Sequence, residues 1–530
     1  MSVDWLLTGG EVVSFEPDAP RASALAVGEG RVVAVGSDDE LARLAGPRTR
    51  HTRLDGAAVL PGFTDTHMHL EKVSHEFSML ALGDAGDVAE VCARIRERAA
   101  ASRPGAWIRC LGDAGGWHER NLAEGRLPTR GELDAAAGEH PVFLYRRPDH
   151  GALNTAAAAK VADLLADAAA GTFDPHTGHL DGPLVRLVND ALYRPGVHER
   201  QDQLDLLSAA STRLLAMGVT TVVDPGLPAG FEAAWDLYRA AAGSGALTQR
   251  VLLMNRFDWR REFAGELDRV RRGATVPGDG DDRLRAWALK LVLDGEFAGA
   301  WLRPAEEPGS ESNARYTPEQ LRTVLRLAAD RGWPVCVHAM GGGAIAAVTR
   351  TVRELRADGA SFARGQVSIA HAFLIDDAEV DDCSELGIGL SVQPPLAYTY
   401  VREMRAVWGE LADRAVPFAA MVRRGARFAG GSDTHPCDPL TGAAIAVTRR
   451  AWDGSDLGDD EALTPWQALS LYTREAGHYI GRPDVGTLSP GAVADFAVWP
   501  ENPLACDAKE WPSLRPALVA VDGRPVWQAE

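Results

Sequence analysis

Two histidines stand two residues apart in the stretch PGFTDTHMHL, His67 and His69. In an extended chain alternate side chains share a face, so both imidazoles can reach one point while Met68 turns away. Imidazole nitrogens and carboxylate oxygens are the ligands of a borderline divalent cation, but two ligands do not complete a site. Further groups of this kind end short apolar runs downstream: Lys290 in WALKLVLDG, His338 in PVCVHAMG, His371 in VSIAHAF and Asp433 in GGSDTHP. Each alone has an ordinary structural role: a hydrogen-bonded strand histidine, an aspartate capping the next helix, a lysine paired with Asp294. Lys290 needs its own chemistry, because a protonated ammonium has no lone pair to offer a metal. A desolvated amine that adds CO2 becomes a carbamate, in effect a carboxylate on a long stem able to bridge two cations.

The elements that must carry these groups are legible as alternating short apolar runs and longer helical stretches, the texture of repeated βα units. Eight runs read as strands: 59–69, 218–226, 249–257, 287–295, 333–341, 366–373, 387–394 and 426–433. Eight is the count for a (β/α)8 barrel, an α/β fold whose chemistry gathers at the C-terminal ends of its strands. His67, His69, Asp224, Lys290, His338, His371, Gln393 and Asp433 all fall there in this reading. The interval between the first and second runs is far too long for a βα loop. It has its own helical and strand-like segments, so an inserted lid subdomain over about 71–205 is expected. Residues 1–60 and the C-terminal tail are β-rich and Gly-punctuated alike. The expected division is therefore 1–61 with 482–530 as one composite β domain, and 62–481 as the barrel with its insertion.

Bulk properties narrow the partners. The 530 residues are 46% hydrophobic and carry a net charge of −19, which argues against a nucleic acid or an anionic membrane as partner. The six cysteines are scattered without a C-x-x-C pair, so reduced thiols and a cytoplasmic location are the expectation. Neither a signal peptide nor a membrane span is read from the sequence. The implied partner is a small-molecule substrate, and a homodimer is the default among assemblies.

Taken in order, HMH, KLVLDG, VHAMG, IAHAF and GSDTHP resemble the metal-dependent amidohydrolase superfamily. PGFTDTHMHL, GGWHERNLAEGRLPTRGELD, PVFLYRRPDHGALN, the SVQP run, AVTR at 446–449 and GTLSPGAVADFAVWPENPL are similar to its family-3 subgroup, which includes N-substituted formamide deformylases. The resemblance spans essentially the whole chain. It implies a distorted (β/α)8 TIM barrel with a small β-sandwich built from both termini. It also implies one or two divalent ions, usually Zn2+, with Mn2+ or Fe2+ left open. His67 and His69 would hold the more buried ion. Lys290, as the amine or N6-carboxylated, would lie between the two, and His338 and His371 would hold the second. Asp433 would touch the metal or its water and shuttle protons. The chemistry implied is attack of an activated water on a carbonyl, with cleavage of an amide, formamide or N-acyl C–N bond. Decarboxylation or deamination at the same metal site, and a non-catalytic binding protein, stand as alternatives.

The resemblance also marks departures. Subgroup members usually continue the strand-five motif as His-Ala-x-Gly-Asp, often followed by Arg. Here it reads His338-Ala339-Met340-Gly341-Gly342-Gly343. Either the glycines only shape a helix entry, or they leave room beside His338. After SVQP the expected histidine is absent, and Tyr398 and Tyr400 stand nearby. His435 and Cys437 follow Asp433 where bulky or aliphatic residues are usual. The substrate-binding candidates are therefore His150, Trp117, Gln393, Tyr398 and His435, with His118 and Glu119 read as solvated.

Overall fold

The computed structural model describes residues 3–18, 21–82, 85–111, 122–146, 150–169, 171–193, 199–226, 230–434 and 436–529. The chain divides into two compact units, one made of 1–70 with 207–530 and the other of 71–206.

The first unit contains an eight-stranded sheet in which all the pairings are parallel. Its strands are β1 (Phe63–Asp65), β2 (Val219–Asp224), β3 (Arg250–Arg256), β4 (Leu284–Val292), β5 (Val335–Ala339), β6 (Val367–His371), β7 (Gly389–Val392) and β8 (Arg427–Gly430). They follow one another in chain order across the sheet, each from one of the eight apolar runs. β1 and β8 meet through Thr66, whose amide donates to the Gly430 carbonyl at 3.1 Å, and through a parallel bridge between Met68 and Asp433. This nearly closed sheet is a TIM barrel.

Strand alternation sorts the side chains. Leu289 and Leu291 on β4, Val335 and Val337 on β5, and Val367 and Ile369 on β6 join the large apolar cluster shared with the surrounding helices. Ala288, Cys336 and Ala370 join a second cluster with Val223, Leu252, Trp287 and Ile480. Lys290 and His338 lie two residues beyond Ala288 and Cys336, so they belong to that second face.

The terminal segments supply two more sheets. One holds Trp5–Thr8, Ala24–Gly28, Arg31–Gly36 and Arg50–Arg53; the other pairs Ala58–Pro61 antiparallel with Phe496–Trp499 and extends to 524–528. Trp5, Leu25 and Val27 from the first sheet pack with Val59, Phe496 and Ala520 from the second.

The second unit is built on a five-stranded sheet containing Ile108–Leu111, Val142–Arg146 and His150–Leu153. Helices Val88–Ala101 and Arg130–Ala137 contribute to one apolar cluster against it, and helix Pro183–Ala191 to another.

Candidate functional site

β1 ends at Asp65, so His67 and His69 lie just past the strand rather than within it. Their spacing acts instead through the bridge at Met68. The Asp433 amide donates to the His67 carbonyl at 2.5 Å, and the His69 amide donates to the Asp433 carbonyl at 3.1 Å. One ligand atom each from His67, His69 and Asp433 lies within 4.8 Å of the others. Nε2 of His67 is 3.3 Å, and Nε2 of His69 3.7 Å, from Asp433 Oδ1.

His338 and His371 stand beside this trio. Their ring centroids are 4.3 Å apart, and the His371 ring is 4.9 Å from that of His67. His371 has the parity of Val367 and Ile369, which pack outward. A left-handed backbone, φ 78° at His371 and 49° at Ala372, breaks the alternation and lets the imidazole join the others. Asp433 is also left-handed, with φ 67°. Such conformations are uncommon outside glycine and gather at functional sites, although His and Asp tolerate them better than most residues.

Lys290 stands on β4 in register with Cys336 and is 3% exposed. Its Nζ is 3.9 Å from Cys336 Sγ. The Asp294 pairing suggested by sequence proximity is not what Asp294 makes. That carboxylate is fully buried and accepts from the amides of Trp301, Met340 and Gly341 at 3.0 Å each. It also stands 3.6 Å from His338 Nε2. Burial lowers the Lys290 pKa, favouring the neutral amine, and pushes Asp294 up to about 7.

Asp65 was not singled out from the sequence. Its Oδ1 accepts from the amides of His67 at 2.9 Å and Ser432 at 3.1 Å, so one carboxylate ties the first pair of histidines to the Asp433 loop. Burial raises its pKa to about 7. The available signal was an aspartate two residues before the first histidine in PGFTDTHMH. Asp224, at the end of β2, accepts from the amides of Leu70 and Gly226 and from the Tyr238 hydroxyl, a supporting role for the turn after His69.

The residues present fit a divalent cation. His67 Nδ1, His338 Nε2 and His371 Nδ1 are buried ring nitrogens without a hydrogen-bond partner. Burial holds all three imidazoles well below their ordinary pKa, and the neutral form is the one that ligates. Buried polar atoms are otherwise almost always satisfied, so these orphans suit a ligand role.

Gln393 is fully buried and donates to the Ser391 carbonyl and hydroxyl at 3.0 Å each. Tyr398 lies half-buried on helix Pro394–Thr399 against the main core. His150 belongs to the second unit, on strand His150–Leu153, where its Nδ1 is 2.7 Å from Asp181. Trp117 and His435 lie outside the described residues, as do His118 and Glu119.

The glycines after His338 do not leave a void. A Cβ on Gly342 would sit 2.3 Å from the Arg303 guanidinium carbon, and one on Gly343 would sit 2.5 Å from the Leu302 carbonyl oxygen. Arg303 is held there by Glu306 and Glu379 and by the Leu374 carbonyl. The room beside Gly342 is therefore filled by this chain's own arginine.

A model of the amidohydrolase family matches residues 54–527. An N-substituted formamide deformylase from Arthrobacter pascens is 26% identical, covering 98% of this chain and 97% of its own. The crystal structure of an uncharacterized metal-dependent hydrolase from Pyrococcus horikoshii superimposes with a TM-score of 0.77 at 23% identity, covering 96% of this chain and 99% of that one. Atrazine chlorohydrolase from Arthrobacter aurescens, solved with zinc, gives 0.56 at 15% identity, covering 99% and 95%.

Proposed function

From the premise that this chain belongs to the amidohydrolase family, metal-dependent hydrolases of C–N bonds, we propose that it hydrolyses small amides, formamides or N-acyl compounds at the end of the barrel that carries His67, His69 and Asp433. The observation that carries this reading is the convergence of those three side chains within 4.8 Å at the join between the first and last strands. The formamide deformylase likeness supports the choice of acyl group, and the zinc-containing neighbour supports zinc as the first ion.

His67, His69 and Asp433 would hold one cation, Lys290 would lie beside it as an N6-carboxylated side chain, and His338 with His371 would hold a second. When bound, such a cation acidifies water and withdraws charge from a carbonyl oxygen. Asp433, 21% exposed at its side chain, accepts the proton of the attacking water at its carboxylate and returns it to the departing nitrogen. His67 and His69 orient that carboxylate from 3.3 and 3.7 Å. Gln393, buried just past the end of β7, and Tyr398 are candidate substrate contacts.

The remaining assignments belong to the same reading. The two sheets of terminal strands act as one composite domain, and the enzyme works in the cytoplasm as a homodimer; cysteines that form no disulfide among the described residues support that location. Among the described residues no helix is long and apolar enough to cross a membrane.

The test is elemental analysis of the purified chain together with assay of N-substituted formamides for release of formate and amine. Bound divalent metal and stoichiometric release are expected. A chain that holds no divalent ion and stays inert after zinc or manganese is added would reject the proposal.

A further inference from the structure

The second unit buries a cation that its described residues leave incompletely matched. Arg109, on strand Ile108–Leu111, is 6% exposed. Its Nη2 donates to Asn189 Oδ1 at 2.9 Å and to the Tyr193 hydroxyl at 3.0 Å, and the guanidinium lies 4.9 Å from the Tyr193 ring centroid. Nε and Nη1 are buried and have no hydrogen-bond partner among the described residues. The setting is apolar: Phe143, opposite Arg109 in strand register, and Leu111 belong to one cluster with Val185 and Val188. No salt bridge joins Arg109 to a carboxylate among the described residues, and a buried guanidinium left so is costly because its desolvation is not repaid.

The charged groups that act on the Tyr193 hydroxyl are Arg109, Lys72 and Glu76, two positive and one negative. Arg109 keeps two open N–H donors, at Nε and Nη1, among the described residues. Guanidinium donors match the planar oxygens of a carboxylate. The planar group is a carboxylate rather than a tetrahedral phosphate in this reading, and the aliphatic and aromatic surroundings suit a short hydrocarbon tail.

We propose that Arg109, with Tyr193 and Asn189, forms a binding site in the inserted unit for a small organic monocarboxylate. The site is built wholly from residues of that unit.

Calorimetric titration of the full chain with sodium butyrate tests it, with butyramide and inorganic phosphate as controls. Butyrate is expected to bind, butyramide and phosphate to give no binding heat, and Arg109→Gln to raise the butyrate Kd about tenfold or more. Absence of butyrate binding, phosphate binding as tight as butyrate, or an unchanged Kd in Arg109→Gln would overturn the assignment. If Arg109→Gln does not fold, Asn189→Ala and Tyr193→Phe decide: weakened butyrate binding with an unchanged circular dichroism spectrum supports the site, and full affinity in both overturns it.

Discussion

The amide of His69 donates to the carbonyl of Asp433 at 3.1 Å, so a residue from the first barrel strand and one from the last hold each other by backbone as well as by side chain. The seam of the barrel and its candidate chemistry are thus one structure. Changing the Asp433 side chain should leave the seam in place, since the bridging groups are main-chain. Asp433→Asn is expected to lower turnover roughly 10²–10⁴-fold, the usual worth of a positioned acid–base group, with thermal stability and metal content close to the parent. Steady-state kinetics with elemental analysis checks both halves, and unchanged turnover would remove Asp433 from its proton-transfer role.

Asp65 should matter through geometry. Asp65→Ala leaves the amides of His67 and Ser432 buried without their acceptor, at a cost of about 1–3 kcal/mol, and lets the segments that carry His67 and Asp433 drift. Asp65→Asn keeps an acceptor oxygen and should recover most of the loss. Denaturant midpoints and zinc affinity, measured on all three proteins, separate these outcomes.

Gly342 and Arg303 should be coupled. Gly342→Ala drives a methyl into the guanidinium and is expected to cost about 1–3 kcal/mol as overpacking. In the Arg303→Ala background the same change meets open space, so the double variant should be less destabilised than the sum of the singles. A double-mutant cycle on unfolding free energies measures this, and simple additivity would refute the contact.

Lys290 is expected to take up CO2 when metal is loaded, because burial keeps its amine neutral. A carbon-13 carbamate resonance should appear with labelled bicarbonate and vanish in Lys290→Ala, along with loss of metal stoichiometry. No such resonance in fully loaded protein would leave Lys290 as the amine.

Burial raises Asp438 to about 6 from an ordinary value of 3.8. The folded state then holds this proton more tightly than the unfolded chain, so the stability it contributes is present below pH 3.8 and is lost as pH rises through about 6. Asp438→Asn cannot titrate yet still accepts from the Leu440 amide, which Asp438 Oδ1 does at 3.0 Å. Urea midpoints between pH 4 and 7 should fall less steeply in that variant than in the parent.

Much of this protein was legible in its residues. Eight apolar runs bounded by Gly, Pro and Asp become eight parallel strands, because buried strands must be apolar and their ends must turn. His67, His69, Lys290, His338, His371 and Asp433 could be picked out one by one, since each ends such a run or follows it closely. Their meeting could not be read from spacing alone. His371 sits on the outward parity of its strand, and only the left-handed turn at His371 and Ala372 brings it beside His338. Asp65 drew no notice in the sequence and Asp294 suggested only a pair with Lys290, until the fold placed the amides of Ser432, Trp301 and Met340 against them. Gly342 could be read as a helix entry or as room beside His338, and the structure both starts helix Gly342–Ala357 there and sets Arg303 against it. Local sequence determines which residues face a core and where strands end, because those depend on alternation and turn chemistry within a few positions. Which distant loops share a carboxylate, or which arginine covers a glycine, depends on close packing between segments far apart in the chain, and that only the tertiary structure decides.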